Sequence, residues 1–273
     1  MKKIIILFLS FVLTGCSFSV KTKSQKKWID PSGNTLKTRI EAPSGYKRMD
    51  TDLAHFLQNY PLKKDGSPIL LYDGTKKWNQ SSQIAVFKLP LENENLQQCA
   101  DSVMRVYAEY YWHNKQFEKI QFHLSDGFLL SYMKWREGYR VIFNNDHASY
   151  IKSASYDDSY ECFKKYLRIV FAYSGTASMV NESLPISSKE MQVGDVFLKG
   201  GSPGHVVMIV DMCINKKGQK AFLLAQGYMP AQEFHVLKNP RHNDPWYYEK
   251  EIQYPFETPD YTFEQESLRH LIY

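Results

Sequence analysis

The sequence predicts an α+β fold in a single domain, on three observations. Apolar residues recur at three- and four-residue steps in two long stretches, Asn95 to Trp112 and Asp157 to Ala172, as in amphipathic helices. From Glu190 to Leu237 the pattern changes to short apolar runs broken by turn residues, as in an antiparallel sheet. No linker, repeat or low-complexity segment separates the two regions, so helices and sheet belong to one folded unit.

The chain opens with Lys2-Lys3, the apolar run Ile4 to Val12, and Leu13-Thr14-Gly15-Cys16. These read as the n-region, h-region and lipobox of a bacterial lipoprotein signal, residues 1–15, cleaved before a lipidated Cys16. The apolar run is too short to span a bilayer. Residues 16–42 read as a flexible tether; Ser17 to Lys27 carries lysines and hydroxyls but no acid, which suits anionic headgroups. The expectation is a cell-envelope protein held to the membrane through lipid on Cys16, with residues 43–273 facing the periplasm.

Within that domain Pro43-Ser44-Gly45 closes the tether, and Leu53, Phe56 and Leu57 space a short helix from Asp50 to Tyr60 that Pro61 ends. Ile69 to Tyr72 and Gln83 to Leu89 read as short strands, and Asn93 or Asn95 as the cap of the first long helix. Ile120 to Leu124, a short helix to Gly138, then Tyr139 to Phe143 and Ala148 to Ile151 form a mixed segment before the second long helix. After Asn239-Pro240 the Pro- and aromatic-rich tail reads as a surface wrap.

Composition supports a packed core, with 43% hydrophobic and 15% aromatic residues in 273. The net charge of +5 is a property of the N-terminus: residues 1–27 hold six lysines and no acid, and the 34 basic residues less these six leave 28 against 29 acidic. A near-neutral domain without a basic stripe argues against a nucleic-acid partner. Beyond Cys16, Cys99, Cys162 and Cys213 are odd in number and far apart, so at least one thiol is free. No C-x-x-C or H-x-x-x-H pair marks a zinc site, and no cofactor is expected.

Chemistry is concentrated in the sheet. Gly194 to Leu198, Gly204-His205 to Asp211 and Phe222 to Gln226 read as strands, with His205 at a sheet rim directly after a Ser-Pro-Gly turn. Alternation places His205, Val207, Ile209, Asp211 and Cys213 on one face. Counting across the Asn215 to Gln219 turn sets His205 opposite or diagonal to Gln226, and the next turn sets His235 opposite Gln226. Cys99, near a helix N-terminus, is positioned for a nucleophile, since unpaired N–H groups there favour a thiolate. Cys162 and Cys213 fall on apolar faces and read as core, Asp195 as a turn or cap residue, Asp211 as the strand's end, and His242 as part of a loop. The aromatics Tyr107, Tyr110, Tyr111, Trp112, Trp135 and Tyr139 read as core, with a substrate groove suited to sugars or peptides as the alternative.

A cysteine opening a helix, a Gly-Asp-strand, Gly-His-Val-Val-Met-Ile-Val and a polar residue on the following strand resemble the core of papain-like cysteine hydrolases, specifically the NlpC-type cell-wall peptidases and amidases. The resemblance implies a papain-like fold, a cysteine-bearing helix on a histidine-bearing antiparallel sheet, with Cys99 as nucleophile, His205 as base and Gln226 as orienter. The surroundings differ from that family: Gln98-Cys99-Ala100-Asp101 stands where Asp-Cys-Ser-Gly is usual, and Gln226 where histidine is commoner. Leu96 to Asp101, Trp135 to Arg140, Gly194 to Phe197 and Ala225 to Gln232 also resemble an uncharacterised family of bacterial lipoproteins.

Together these imply a thiol hydrolase or acyl transferase acting on amides within reach of a tether, of which peptidoglycan peptides are the most natural. The alternatives are a non-catalytic envelope lipoprotein that binds a wall fragment or partner protein, and metal-dependent hydrolysis through His205, His235 and Asp211, which the strand spacing disfavours.

Overall fold

The apolar run from His205 to Cys213 is buried along its whole length, because it forms the centre of a sheet covered on both faces. The computed structural model describes residues 28–145 and 147–273; Cys16, the signal segment and the tether up to residue 27 lie outside them.

In chain order the helices are α1 (Leu36–Arg39), α2 (Asp52–Asn59), α3 (Cys99–His113), α4 (Tyr132–Arg136), α5 (Tyr160–Tyr173) and α6 (Thr176–Asn181). The strands are β1 (Tyr46–Arg48), β2 (Gln83–Val86), β3 (Gln121–His123), β4 (Leu129–Ser131), β5 (Tyr139–Asn144), β6 (His147–Lys152), β7 (Ser183–Pro185), β8 (Val196–Lys199), β9 (His205–Asn215), β10 (Lys220–Gln226), β11 (His235–Leu237), β12 (Tyr247–Tyr248), β13 (Phe256–Glu257), β14 (Thr262–Phe263) and β15 (Leu268–Leu271). The main sheet runs β2-β11-β10-β9-β8-β15-β7, with β1 added to β9 and β12 to β10; its pairings are antiparallel. The architecture is therefore α+β, as the sequence predicts. Among the described residues no helix is long and apolar enough to cross a membrane.

Local chemistry accounts for the elements. Thr51 caps α2 by accepting from the Ala54 N–H, and Ser159 caps α5 by accepting from the Cys162 N–H at 3.1 Å. The α5 stripe Cys162, Phe163, Tyr166, Leu167, Val170 and Phe171 is buried, and Trp112 of α3 stacks on Phe163 with ring centroids 4.7 Å apart. Of the aromatic cluster Tyr107, Tyr111 and Trp135 are buried in the core, and Tyr110 and Trp112 pack against it half-buried. Cys162 and Cys213 are free thiols within that core.

Three expectations need correction. Residues 28–42 are not all tether: Ile29 bridges Ile40, the side chain of Thr35 caps α1, and Leu36 and Ile40 are buried. Their four-residue spacing supplies an apolar face to α1, so the folded unit begins before Pro43. The tail after Pro240 is not a surface wrap either. Trp246 and Phe263 are fully buried, and β15 is inserted between β8 and β7.

The third concerns β9. Leu223 pairs with Asp211 but Leu224 with Ile209, so Val210 is an extra residue, a β-bulge. The bulge reverses the alternation and turns Asp211 and Cys213 to the face opposite His205. Asp211 does not end the strand; it is buried, ion-paired to Arg48 Nε at 2.7 Å and accepts from Gln58 Nε2 at 3.0 Å. The donor set His205, His235 and Asp211 is not assembled, and among the described residues no group of three His, Cys, Asp or Glu could hold a metal ion.

Candidate active site

α3 begins at Cys99 itself. Asp101 fixes that start by accepting the Gln98 N–H on Oδ2 at 3.0 Å, back across the first turn. Asn95 is not the cap. Its Oδ1 accepts from the Ala231 N–H at 2.7 Å and ties the segment ahead of the helix to the β10–β11 turn. The helix end and strand end approach closely at Gly227, the residue after Gln226. A Cβ there would lie 2.2 Å from Ser102 Oγ and 2.8 Å from the Gln98 carbonyl oxygen, which only glycine avoids.

Cys99 lines an open cleft of about 540 Å³ whose walls also include Gln98, Thr176, Gly204 and Met229. Burial pushes its thiol up to about 11 and the Asp101 carboxylate acts in the same direction, against a smaller downward pull from the backbone N–H groups of Ala100 and Val206. The thiolate expected from the helix terminus is therefore not the resting form, because desolvation outweighs the dipole. Val206 is the second residue of β9, so this downward pull reaches the thiol from the strand that His205 heads. No hydrogen bond joins the sulfur to the His205 ring; that ring turns its Nε2 toward Gln226.

His205 is 3% exposed, with the rings of Tyr228 and Tyr261 centred 4.6 and 4.7 Å from its own. This burial lowers its pKa to about 4, against the opposing effects of the Gln226 hydrogen bond and the Asp260 carboxylate, so the ring is neutral at pH 7. Its Nε2 lies 2.8 Å from Gln226 Oε1. By extension of the β9–β10 register beyond Ala225–Met208, the two residues are diagonal. Gln226 and His235 are direct partners, as the turn count anticipates.

His235 is fully buried. Its Nδ1 lies 2.8 Å from the Glu233 carbonyl oxygen and its Nε2 is 3.4 Å from Gln226 Nε2. It therefore supports Gln226 from behind. Asp195 accepts from the Gln192 N–H at 2.7 Å and contacts His270 Nδ1 at 2.6 Å, closing the turn before β8. His242 is paired with Glu251 away from the site.

The structure adds residues that sequence reasoning does not find. Asp260 Oδ2 accepts from Gln226 Nε2 at 2.8 Å and from Lys77 Nζ at 2.6 Å, and Oδ1 accepts from Asn79 Nδ2 at 3.2 Å. Burial pulls the Asp260 carboxyl up, but the Lys77 ammonium more than offsets this and holds it below the usual carboxylate range. Asp260 sits in the turn joining β13 to β14, closed by Thr258 accepting from the Tyr261 N–H. Lys77 is placed by its own N–H donating to the Ile69 carbonyl and by Gln80 Nε2 donating to the Lys77 carbonyl. Neither residue carries a motif; Tyr228, within the Ala225 to Gln232 motif, is the only signal.

The arrangement offers a neutral thiol at the head of a helix, a neutral imidazole at the head of a strand, and an amide behind that imidazole anchored to a buried ion pair. A family model described as Domain of unknown function (4846) matches residues 36–270. No curated protein and no solved structure matches the chain.

Proposed function

The chain belongs to the DUF4846 family, and from that premise we propose that it is a lipid-anchored, periplasm-facing thiol hydrolase of papain-like type, cleaving or transferring amides of peptidoglycan peptides. The observation that carries the reading is that Cys99, the first residue of α3, lines an open cleft together with Gly204, the residue just before β9, while His205 at the head of β9 is hydrogen-bonded to Gln226 at 2.8 Å. Lipidation of Cys16 and the periplasmic location rest on the lipobox, and the substrate on proximity to the wall.

In this mechanism the Cys99 sulfur attacks the amide carbonyl carbon while Nδ1 of His205 takes the thiol proton. The carbonyl oxygen becomes an oxyanion facing the unpaired backbone N–H groups at the start of α3. The imidazolium then gives its proton to the amide nitrogen as the C–N bond breaks, releasing an amine and leaving a thioester. Water, deprotonated by His205, hydrolyses the thioester to a carboxylic acid and restores the thiol; an incoming amine in place of water gives acyl transfer. Gln226 and the Asp260 carboxylate stabilise the transient imidazolium, as their upward influence on His205 requires. A resting neutral pair is consistent with this route, because proton transfer accompanies attack.

A second reading, a non-catalytic binder of wall peptides, is favoured by the high Cys99 pKa and by the lack of a sulfur-to-imidazole hydrogen bond. Incubation of the purified mature protein with peptidoglycan stem peptides separates the two. The hydrolase reading expects new amine and carboxyl termini, lost by at least about 10³-fold in Cys99→Ala. Binding without cleavage, or cleavage unchanged in Cys99→Ala, overturns it. For the anchor, metabolic palmitate labelling of cells is expected for the wild type and absent in Cys16→Ala.

A further inference from the structure

We propose that Asp260 is a positioning residue that fixes which way the Gln226 amide faces, and through it which nitrogen of His205 is free to accept a proton. The catalytic consequence rests on the hydrolase reading above; the claim about the ring does not.

An amide side chain has two ends of nearly the same shape, so its orientation is decided by what faces each end. One end of Gln226 lies 2.8 Å from Asp260 Oδ2. An ionised carboxylate only accepts, so that end must be the NH₂. His235 makes the same demand only weakly: its Nδ1–H is committed to the Glu233 carbonyl oxygen at 2.8 Å, which leaves Nε2 as an acceptor at a long 3.4 Å from Gln226, so the 2.8 Å carboxylate contact decides the orientation. The other end of Gln226 is then the carbonyl oxygen, which also only accepts. His205 Nε2, 2.8 Å away, must carry its proton outward to that oxygen. The bare lone pair of the neutral ring is left on Nδ1.

Asp260 can impose this because it is itself immobilised. Lys77 Nζ at 2.6 Å and Asn79 Nδ2 at 3.2 Å also donate to it, and the Lys77 and Asp260 side chains are 10% and 11% exposed. Three distant segments, the loop before β2, the end of β10 and the β13–β14 turn, thus converge on one proton position.

Nitrogen-15 spectra of ring-labelled protein, assigned by loss of a signal in His205→Gln, read the tautomer directly and need no substrate. The wild type is expected to show His205 wholly as the Nε2–H form. Asp260→Asn, which can keep an oxygen in the Oδ2 position, is expected to retain that form. Asp260→Leu is expected to give a mixture of both tautomers. Because Asp260→Leu strands the Lys77 ammonium, Lys77→Met combined with Asp260→Leu is the second variant, replacing the ion pair with apolar side chains; it too is expected to give a mixture. A wild-type Nδ1–H form, or a pure Nε2–H form in whichever of the two Asp260→Leu proteins folds, overturns the proposal. In hydrolysis assays these two proteins are expected to lose at least about tenfold in kcat with KM within about twofold, while Asp260→Asn largely retains kcat. A protein that shows the expected tautomers but cleaves nothing leaves the role of Asp260 standing and removes only the hydrolase.

Discussion

Asp101 adds to the effect of burial on the thiol two residues before it. Burial raises its carboxyl from the ordinary 3.8 to about 8, and among the described residues its Oδ1 is buried without a hydrogen-bond partner. The sign of its effect on stability follows from linkage. Below about pH 4 both folded and unfolded chains hold the proton; as pH rises the unfolded chain ionises first, so stability is lost progressively up to about pH 8. Asp101→Asn removes that loss while keeping an oxygen for the Gln98 N–H. Urea unfolding is expected to give similar stability for the two proteins near pH 4 and a variant more stable by several kcal/mol, to order of magnitude, at about pH 8. The same substitution removes the carboxylate that raises the Cys99 thiol. Iodoacetamide labelling of wild-type Cys99 is therefore expected to be slow at pH 7 and to climb toward about pH 11, with the Asn variant several-fold faster at about pH 9. Equal rates would leave burial as the cause without a contribution from Asp101.

The contact between α3 and the end of β10 brings the thiol to the sheet, and Gly227 allows it. In Gly227→Ala the new methyl group meets Ser102 Oγ and, more seriously, the Gln98 carbonyl oxygen, which is backbone and cannot rotate away. The variant is expected to lose roughly 1–3 kcal/mol in denaturant unfolding. Adding Ser102→Ala is expected to restore only part of this; full restoration would show that the side chain alone sets the approach. At this scale the sequence is informative where a pattern is local. The turn that follows β10 pairs His235 with Gln226 by simple counting, and apolar spacing locates α3 and α5. The bulge at Val210 leaves no mark, because Ile209 and Val210 are both apolar and read alike in a strand buried on both faces. Strict alternation therefore puts Asp211 on the wrong side. The start of α3 is displaced by a few residues because Asn95 is a good cap by type, yet its oxygen is taken by Ala231.

Over the whole molecule, the candidate nucleophile, base and orienter are legible because each sits at an element end with a turn or cap signal beside it. Asp260, Lys77 and Tyr261 are not, because a site residue supplied by an irregular segment has no periodicity to betray it and its partner lies elsewhere in the chain. The same blindness makes the tail look peripheral. Its aromatics are spread among prolines, and nothing local reveals that Leu268–Leu271 pairs with β8 on one side and β7 on the other. A chain ending at Thr258 would lose β14 and β15, exposing the edge of β8 and separating β7 from the sheet. It would also take Asp260 and Tyr261 from the His205 network and Phe263 from the core. Since these losses strike sheet and site together, the truncated protein is expected to show no cooperative thermal unfolding by circular dichroism, in contrast to a sharp transition for the full chain. A truncated protein that melts cooperatively within a few degrees of the full chain would mean that the tail is a cover over a core able to fold without it.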